Sequence, residues 1–107
     1  MKDKLLQIIN HYGIYKQLKY IHSEYFELDE AILHYENSRY FNDEYAIDDN
    51  KDIVGEIADV MVMLKQLQYY YGISDEEIEK IMEKKVERQL ERIKNEWWRY
   101  NKMVKRT

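Results

Sequence analysis

A chain of 107 residues with no proline and only three glycines has almost nothing from which to build tight hairpin turns, so its backbone is committed to helices. The glycines then act as punctuation. A short first helix is predicted from Asp3 to about Tyr12, where Gly13 stops it in a left-handed cap. A second starts near Ile14, and its apolar positions Ile14, Leu18, Ile21, Tyr25, Leu28 and Ile32 step by fours and threes along one stripe that ends near Asn37. From Ser38 to Asn50 the periodicity disappears, which predicts a loop long enough for a working role. The third helix, Lys51 to Tyr71, is apolar on every side between Ile53 and Leu64 apart from Gly55, Glu56 and Asp59, the pattern of a buried helix.

Gly72 ends that helix, and Ser74 followed by Glu77 forms a capping box that starts a fourth, continuing through Ile78, Ile81, Met82, Val86, Leu90 and Ile93. After Trp97 and Trp98 come Arg99, Lys102, Lys105 and Arg106 with no acid, which predicts a frayed basic end. The expected architecture is all-α, a four-helix-bundle-like single domain over residues 1–107 with a basic C-terminal extension from about residue 96. Nothing repeats and no tract is of low complexity.

The balance of 17 Lys and Arg against 21 Asp and Glu gives a formal charge of -4, which disfavours binding of duplex DNA through bulk charge. The absence of cysteine excludes a disulfide scaffold, a zinc ribbon and a thiol nucleophile. Leu5, Leu6, Ile8 and Ile9 are too short a cluster for a signal-peptide core, and no stretch is apolar enough to span a bilayer; a cytoplasmic protein with no membrane partner is the expectation.

Five pairs of acids lie three residues apart, the spacing that puts two side chains on one face of a helix. Asp49 with Asp52, and Glu76 with Glu79, read as solvated surface. Glu56 and Asp59 differ, being the only charges in the apolar stretch of the third helix, where an unpartnered carboxylate is costly to bury. Either a Lys or Arg salt bridge or a metal ion must sit beside them. Glu24 and Glu27 lie on the second helix in the stripe Gln17, Tyr20, Glu24, Glu27 and Ala31, beside the apolar stripe, where they can meet the other pair across a helix interface. Four carboxylates on two facing helices form a hard, oxygen-only site that suits Mg²⁺ or Mn²⁺ better than zinc. A di-iron site needs a Glu three residues before a His, and none of His11, His22 or His34 has one. The phosphate-cradling glycine loop and the HExxH zinc motif are absent as well.

Three runs, YGIYKQLKYIHSEYFELDEAI from Tyr12, IVGEIADVMVMLKQL from Ile53 and YGISDEEIEKIMEKKVERQLERI from Tyr71, together resemble the MazG-like all-α nucleoside triphosphate pyrophosphohydrolases. The resemblance covers most of the chain and rests on an ExxE, here Glu24 to Glu27, followed after a loop by an ExxD, here Glu56 to Asp59. It implies hydrolysis of a nucleoside triphosphate between the α and β phosphates, giving a monophosphate and pyrophosphate. It also implies Mg²⁺ held by Glu24, Glu27, Glu56 and Asp59, of which Glu24 and Glu27 serve as catalytic residues. Lys85, Arg88 and Arg92 match the basic residues that the family's last helix offers to the phosphates; their alternative is a solvated face paired with Glu87 and Glu91. The family often carries two successive glutamates where this chain has Ser23 and Glu24, and the missing acid is a candidate for handling the attacking water.

Eleven tyrosines supply rings for core edges, interfaces or stacking on a nucleobase. Gln17 and Tyr20, on the face of Glu24, are the candidate nucleotide contacts. Tyr69, Tyr70 and Tyr71 point in three directions, so at least one is exposed in a monomer and marks a partner surface. The expected assembly is a homodimer or a dimer of dimers. The competing functions are a helical interaction protein that keeps the fold without turnover, for which Ser23 is the clue, and a nucleic-acid accessory protein using the basic tail with Trp97 and Trp98.

Overall fold

A computed structural model describes residues 1–40 and 50–106, the last two by backbone alone. The described chain is all-helical, in four helices: α1 (Lys2–Tyr12), α2 (Ile14–Tyr40), α3 (Lys51–Tyr70) and α4 (Asp75–Arg106). Two compact units divide it, Met1–Gly72 with the first three helices and Ile73–Thr107 with the fourth.

Two of the three glycines mark the breaks. Gly13 has φ 90° and donates its N–H to the Ile9 carbonyl at 2.7 Å, closing α1 with a positive φ that a side chain would resist. With ψ at 155° this is an extended glycine conformation and not the left-handed cap expected from the sequence. Gly72, at φ 68°, does lie in the left-handed region just beyond α3. The capping box forms as read: Glu77 N–H donates to Ser74 Oγ at 3.1 Å, and Ser74 N–H donates back to Glu77 Oε2 at 3.3 Å.

Two boundaries differ from expectation. Ser38, Arg39 and Tyr40 belong to the last turn of α2, and the rest of the expected loop, residues 41–49, lies outside the described residues. The C-terminal end is helical through Arg106 instead of fraying after Trp98. No proline or glycine interrupts it, cations suit a helix C-terminus, and Lys102 Nζ lies 4.9 Å from the centre of the Trp98 ring one turn back.

Within the first unit, α3 packs against both α1 and α2, and α1 touches α2. Among the described residues the buried apolar side chains are Leu5 and Ile9 of α1 and Met63 of α3. On α2 the one buried residue is Gln17, and on α3 Gln66 and Gln68 join Met63. The expectation of a buried third helix is therefore corrected. Val54, Ile57, Met61, Val62 and Leu64 are exposed, because α1 and α2 cover one side of α3 and its apolar residues run all the way round. The predicted α2 stripe is only partly covered, with Ile14, Ile21 and Leu28 half-buried and Leu18, Tyr25 and Ile32 exposed. Among the described residues no helix is long and apolar enough to cross a membrane.

Candidate functional site

The α2–α3 contact is built on a polar seam. Residues Gln17, Tyr20, Glu24, Glu27 and Ala31 recur every three or four positions, as do Asp52, Glu56, Asp59, Met63 and Gln66, which is the spacing that keeps one side of a helix against a neighbour. Gln17 Nε2 donates to Gln66 Oε1 at 2.8 Å. Ten residues further along α2 is Glu27, and ten residues back along α3 is Glu56, and these two also meet. The helices are therefore antiparallel and in register from the amide pair to the carboxylates.

Glu24, Glu27 and Glu56 each bring a carboxylate oxygen to within 4.8 Å of the others. Asp59 is near enough for its charge to act on both Glu24 and Glu56. The four acids singled out from the sequence thus share one electrostatic neighbourhood. Burial raises the Glu24 carboxyl above its usual 4.5, and the negative charges of Glu27, Asp59 and Glu56 and a hydrogen bond with Glu27 push it the same way. Glu56 is raised by burial first, then by Glu27, Asp59 and Asp52, again with a hydrogen bond to Glu27. The charges that act on these two groups are those of other carboxylates.

Two oxygens, Glu24 Oε2 and Glu56 Oε2, are buried without a hydrogen-bond partner. An orphaned buried carboxylate oxygen is a costly arrangement, and here both belong to carboxylates set among like charges. A divalent cation removes both costs at once. An all-oxygen donor set on two rigid helices fits Mg²⁺ or Mn²⁺, so the residues present suit the ion that the sequence implied.

Seven residues before Glu24, about 10 Å of helix rise, the same seam opens into a pocket of about 400 Å³ lined by Ile8, Tyr12, Lys16, Gln17, Tyr20, Met63 and Gln66. Gln66 also donates weakly to Met63 Sδ at 3.8 Å, which holds its amide in one orientation. The Lys16 ammonium sits 5.1 Å from the centre of the Tyr12 ring. Both expected nucleotide contacts, Gln17 and Tyr20, line this pocket.

Reasoning from the sequence missed Gln66, Tyr12 and Lys16. A signal for the first was present, since Gln66 follows Asp59 by the same seven residues that separate Gln17 from Glu24. Lys85, Arg88 and Arg92 lie on α4, in the second unit, and all three are exposed. Ser23 is exposed on α2. No protein-family model, curated protein or solved structure matches this chain.

Proposed function

We propose that this protein is a Mg²⁺-dependent nucleotide pyrophosphohydrolase of the MazG-like kind, cleaving a nucleoside triphosphate or its deoxy counterpart to the monophosphate and pyrophosphate. The observation that carries the reading is the meeting of Glu24, Glu27 and Glu56 across an antiparallel helix seam, with two buried oxygens lacking partners. Glu24, Glu27, Glu56 and Asp59 would hold the ion. The ion supplies neutralisation of the triphosphate and polarisation of the attacked phosphorus.

The pocket beside the carboxylates supports a nucleotide substrate over a simple polyphosphate. Tyr12 and Tyr20 offer ring faces for a base, and the Gln17 and Gln66 amides offer hydrogen bonds to its edge. Its separation from Glu24 along α2, about two turns, is comparable to the reach from a base to its α phosphate. Lys85, Arg88 and Arg92 carry the charge for the outer phosphates, whose departure as pyrophosphate needs no covalent intermediate.

The assembly is a homodimer or dimer of dimers, in four-helix-bundle packing, in the cytoplasm. Its support is the apolar surface left uncovered on α2 and α3, where Phe26, Leu33, Val54 and Met61 are each more than half exposed. The second reading is a helical interaction protein without turnover, favoured by Ser23 where the family often has a glutamate. A panel of nucleoside triphosphates assayed for pyrophosphate release in Mg²⁺ tests the first against the second. Monophosphate and pyrophosphate in equal amounts are the expected products; orthophosphate, or no metal-dependent product, overturns the assignment.

A further inference from the structure

The unit Ile73–Thr107 contains one helix, and that helix is strongly two-sided. Val86, Leu90, Ile93, Trp97, Tyr100 and Val104 step by four, three, four, three and four, an unbroken seam of the 3.5-residue period by which paired helices pack. All six are exposed, Trp97 to 66%. A lone helix cannot cover its own stripe, and most helical stability in water comes from packing such a face. The charges of the helix are also segregated. From Asp75 to Leu90 there are six acids (Asp75, Glu76, Glu77, Glu79, Glu83, Glu87) against four bases, whereas from Glu91 to Val104 two acids stand against Arg92, Lys94, Arg99 and Lys102.

From this seam and its charge we infer that α4 pairs antiparallel with α4 of a second copy of the chain, with Leu90 against Ile93 of the other copy at its centre. Val86 then faces the second copy's Trp97, a small residue against a large one, and Met82 lies beside its Met103. Flanking the seam, Glu87 stands next to Lys94 of the second copy, once on each side of the two-fold axis. The acidic first half of each helix runs along the other's basic second half. A parallel pair would instead stack Glu76, Glu79 and Glu83 on their own copies at seam positions, where like charges repel. This pairing is independent of the hydrolytic assignment.

Because the chain has no cysteine, the register is directly testable in the full-length protein. Glu87→Cys and Lys94→Cys variants are co-expressed and oxidised gently, and each is also prepared alone. In the antiparallel pair residue 87 adjoins residue 94 of the other copy, whereas two copies of either residue are offset by about seven residues, about 10 Å, beyond the Cα separation of a disulfide. The co-expressed sample forms a disulfide-linked dimer and neither variant alone does. Adding Leu90→Asp to both chains abolishes the link. Linkage of either variant with itself means a parallel or non-specific contact, and no linkage in any sample means that the stripe is covered otherwise, for example by the same chain; both results overturn the inference, as does a link that survives Leu90→Asp.

Discussion

Glu27 on α2 and Glu56 on α3 bring carboxylate oxygens within 4.8 Å of each other, two acids that repel when both are ionised. Such a contact is favourable only while a proton or a cation lies between the oxygens. The first two predictions follow from that condition.

Without metal, stability should depend on pH in the direction opposite to that of a salt-bridged acid. Glu24 and Glu56 both titrate above the usual 4.5 in the folded chain. Between the unfolded and folded values the native state holds more protons, so unfolding free energy falls with rising pH. The contribution of these two groups is fully present below 4.5 and is lost as pH rises through their folded values. Thermal melts of the metal-free protein across this range should show a decline that Glu56→Gln flattens. A Glu56→Gln profile parallel to that of the parent protein would remove this acid from the cause.

At neutral pH, Mg²⁺ or Mn²⁺ should raise the melting temperature, since an ion bound only by the folded state adds about 2.7 kcal/mol at one hundred times its Kd. Asp59→Asn and Glu56→Gln keep side-chain volume and remove ligand charge, so both should stay folded by circular dichroism while losing the metal-dependent shift. Pyrophosphate release should fall by about two orders of magnitude or more in each, in keeping with the loss of a group that stabilises the transition state. Near-normal turnover in either variant would refute the metal ligation proposed for that residue.

Arg88 and Lys85 lie three apart and share a face of α4, so both can meet one polyanion. If Arg88 holds the outer phosphates, Arg88→Ala should weaken a triphosphate roughly tenfold or more and leave the monophosphate unchanged, because the monophosphate lacks the groups contacted. Titration calorimetry in Ca²⁺, which suppresses turnover, reads both affinities. An equal change in the two would take Arg88 out of the site.

The buried amides should behave as a coupled pair. Gln17→Leu or Gln66→Leu alone leaves the other amide without its partner, at a cost of about 1–3 kcal/mol in urea unfolding. The double variant removes both polar groups and should recover much of that loss. Additive losses in the double variant would mean that the 2.8 Å hydrogen bond contributes nothing distinctive.

Much of the fold was legible in local chemistry. Ser74 and Glu77 announce the start of α4, and the hydrogen bonds they make are those that their spacing promised. Glu56 and Asp59 stand out as the only charges in an apolar stretch, and Glu24 and Glu27 as acids at helical spacing beside the apolar stripe of α2. Burial was less legible. The apolar circumference of α3 reads as a core helix, yet how much of it is covered depends on which helices flank it, and spacing along one chain carries no such information. A glutamine near a helix end reads as surface; the burial of Gln66 follows from facing Gln17 forty-nine residues earlier, a tertiary fact. The basic run after Trp98 reads as a frayed end, yet nothing in Arg99 to Arg106 breaks a helix, and α4 continues through it.

The Gln17–Gln66 hydrogen bond has a role that two leucines could not fill. An all-aliphatic seam tolerates sliding by a whole heptad, since one leucine is much like the next. Sliding α3 by seven residues in one direction would set Glu24 against Gln66 and Ala31 against Asp59, scattering the acids along the helices. A buried amide accepts only a partner of matching geometry, so the pair works as an index mark that forbids the slip. Whatever stability is given up by burying two polar groups at one end of the seam is returned as alignment ten residues away, where the carboxylates meet.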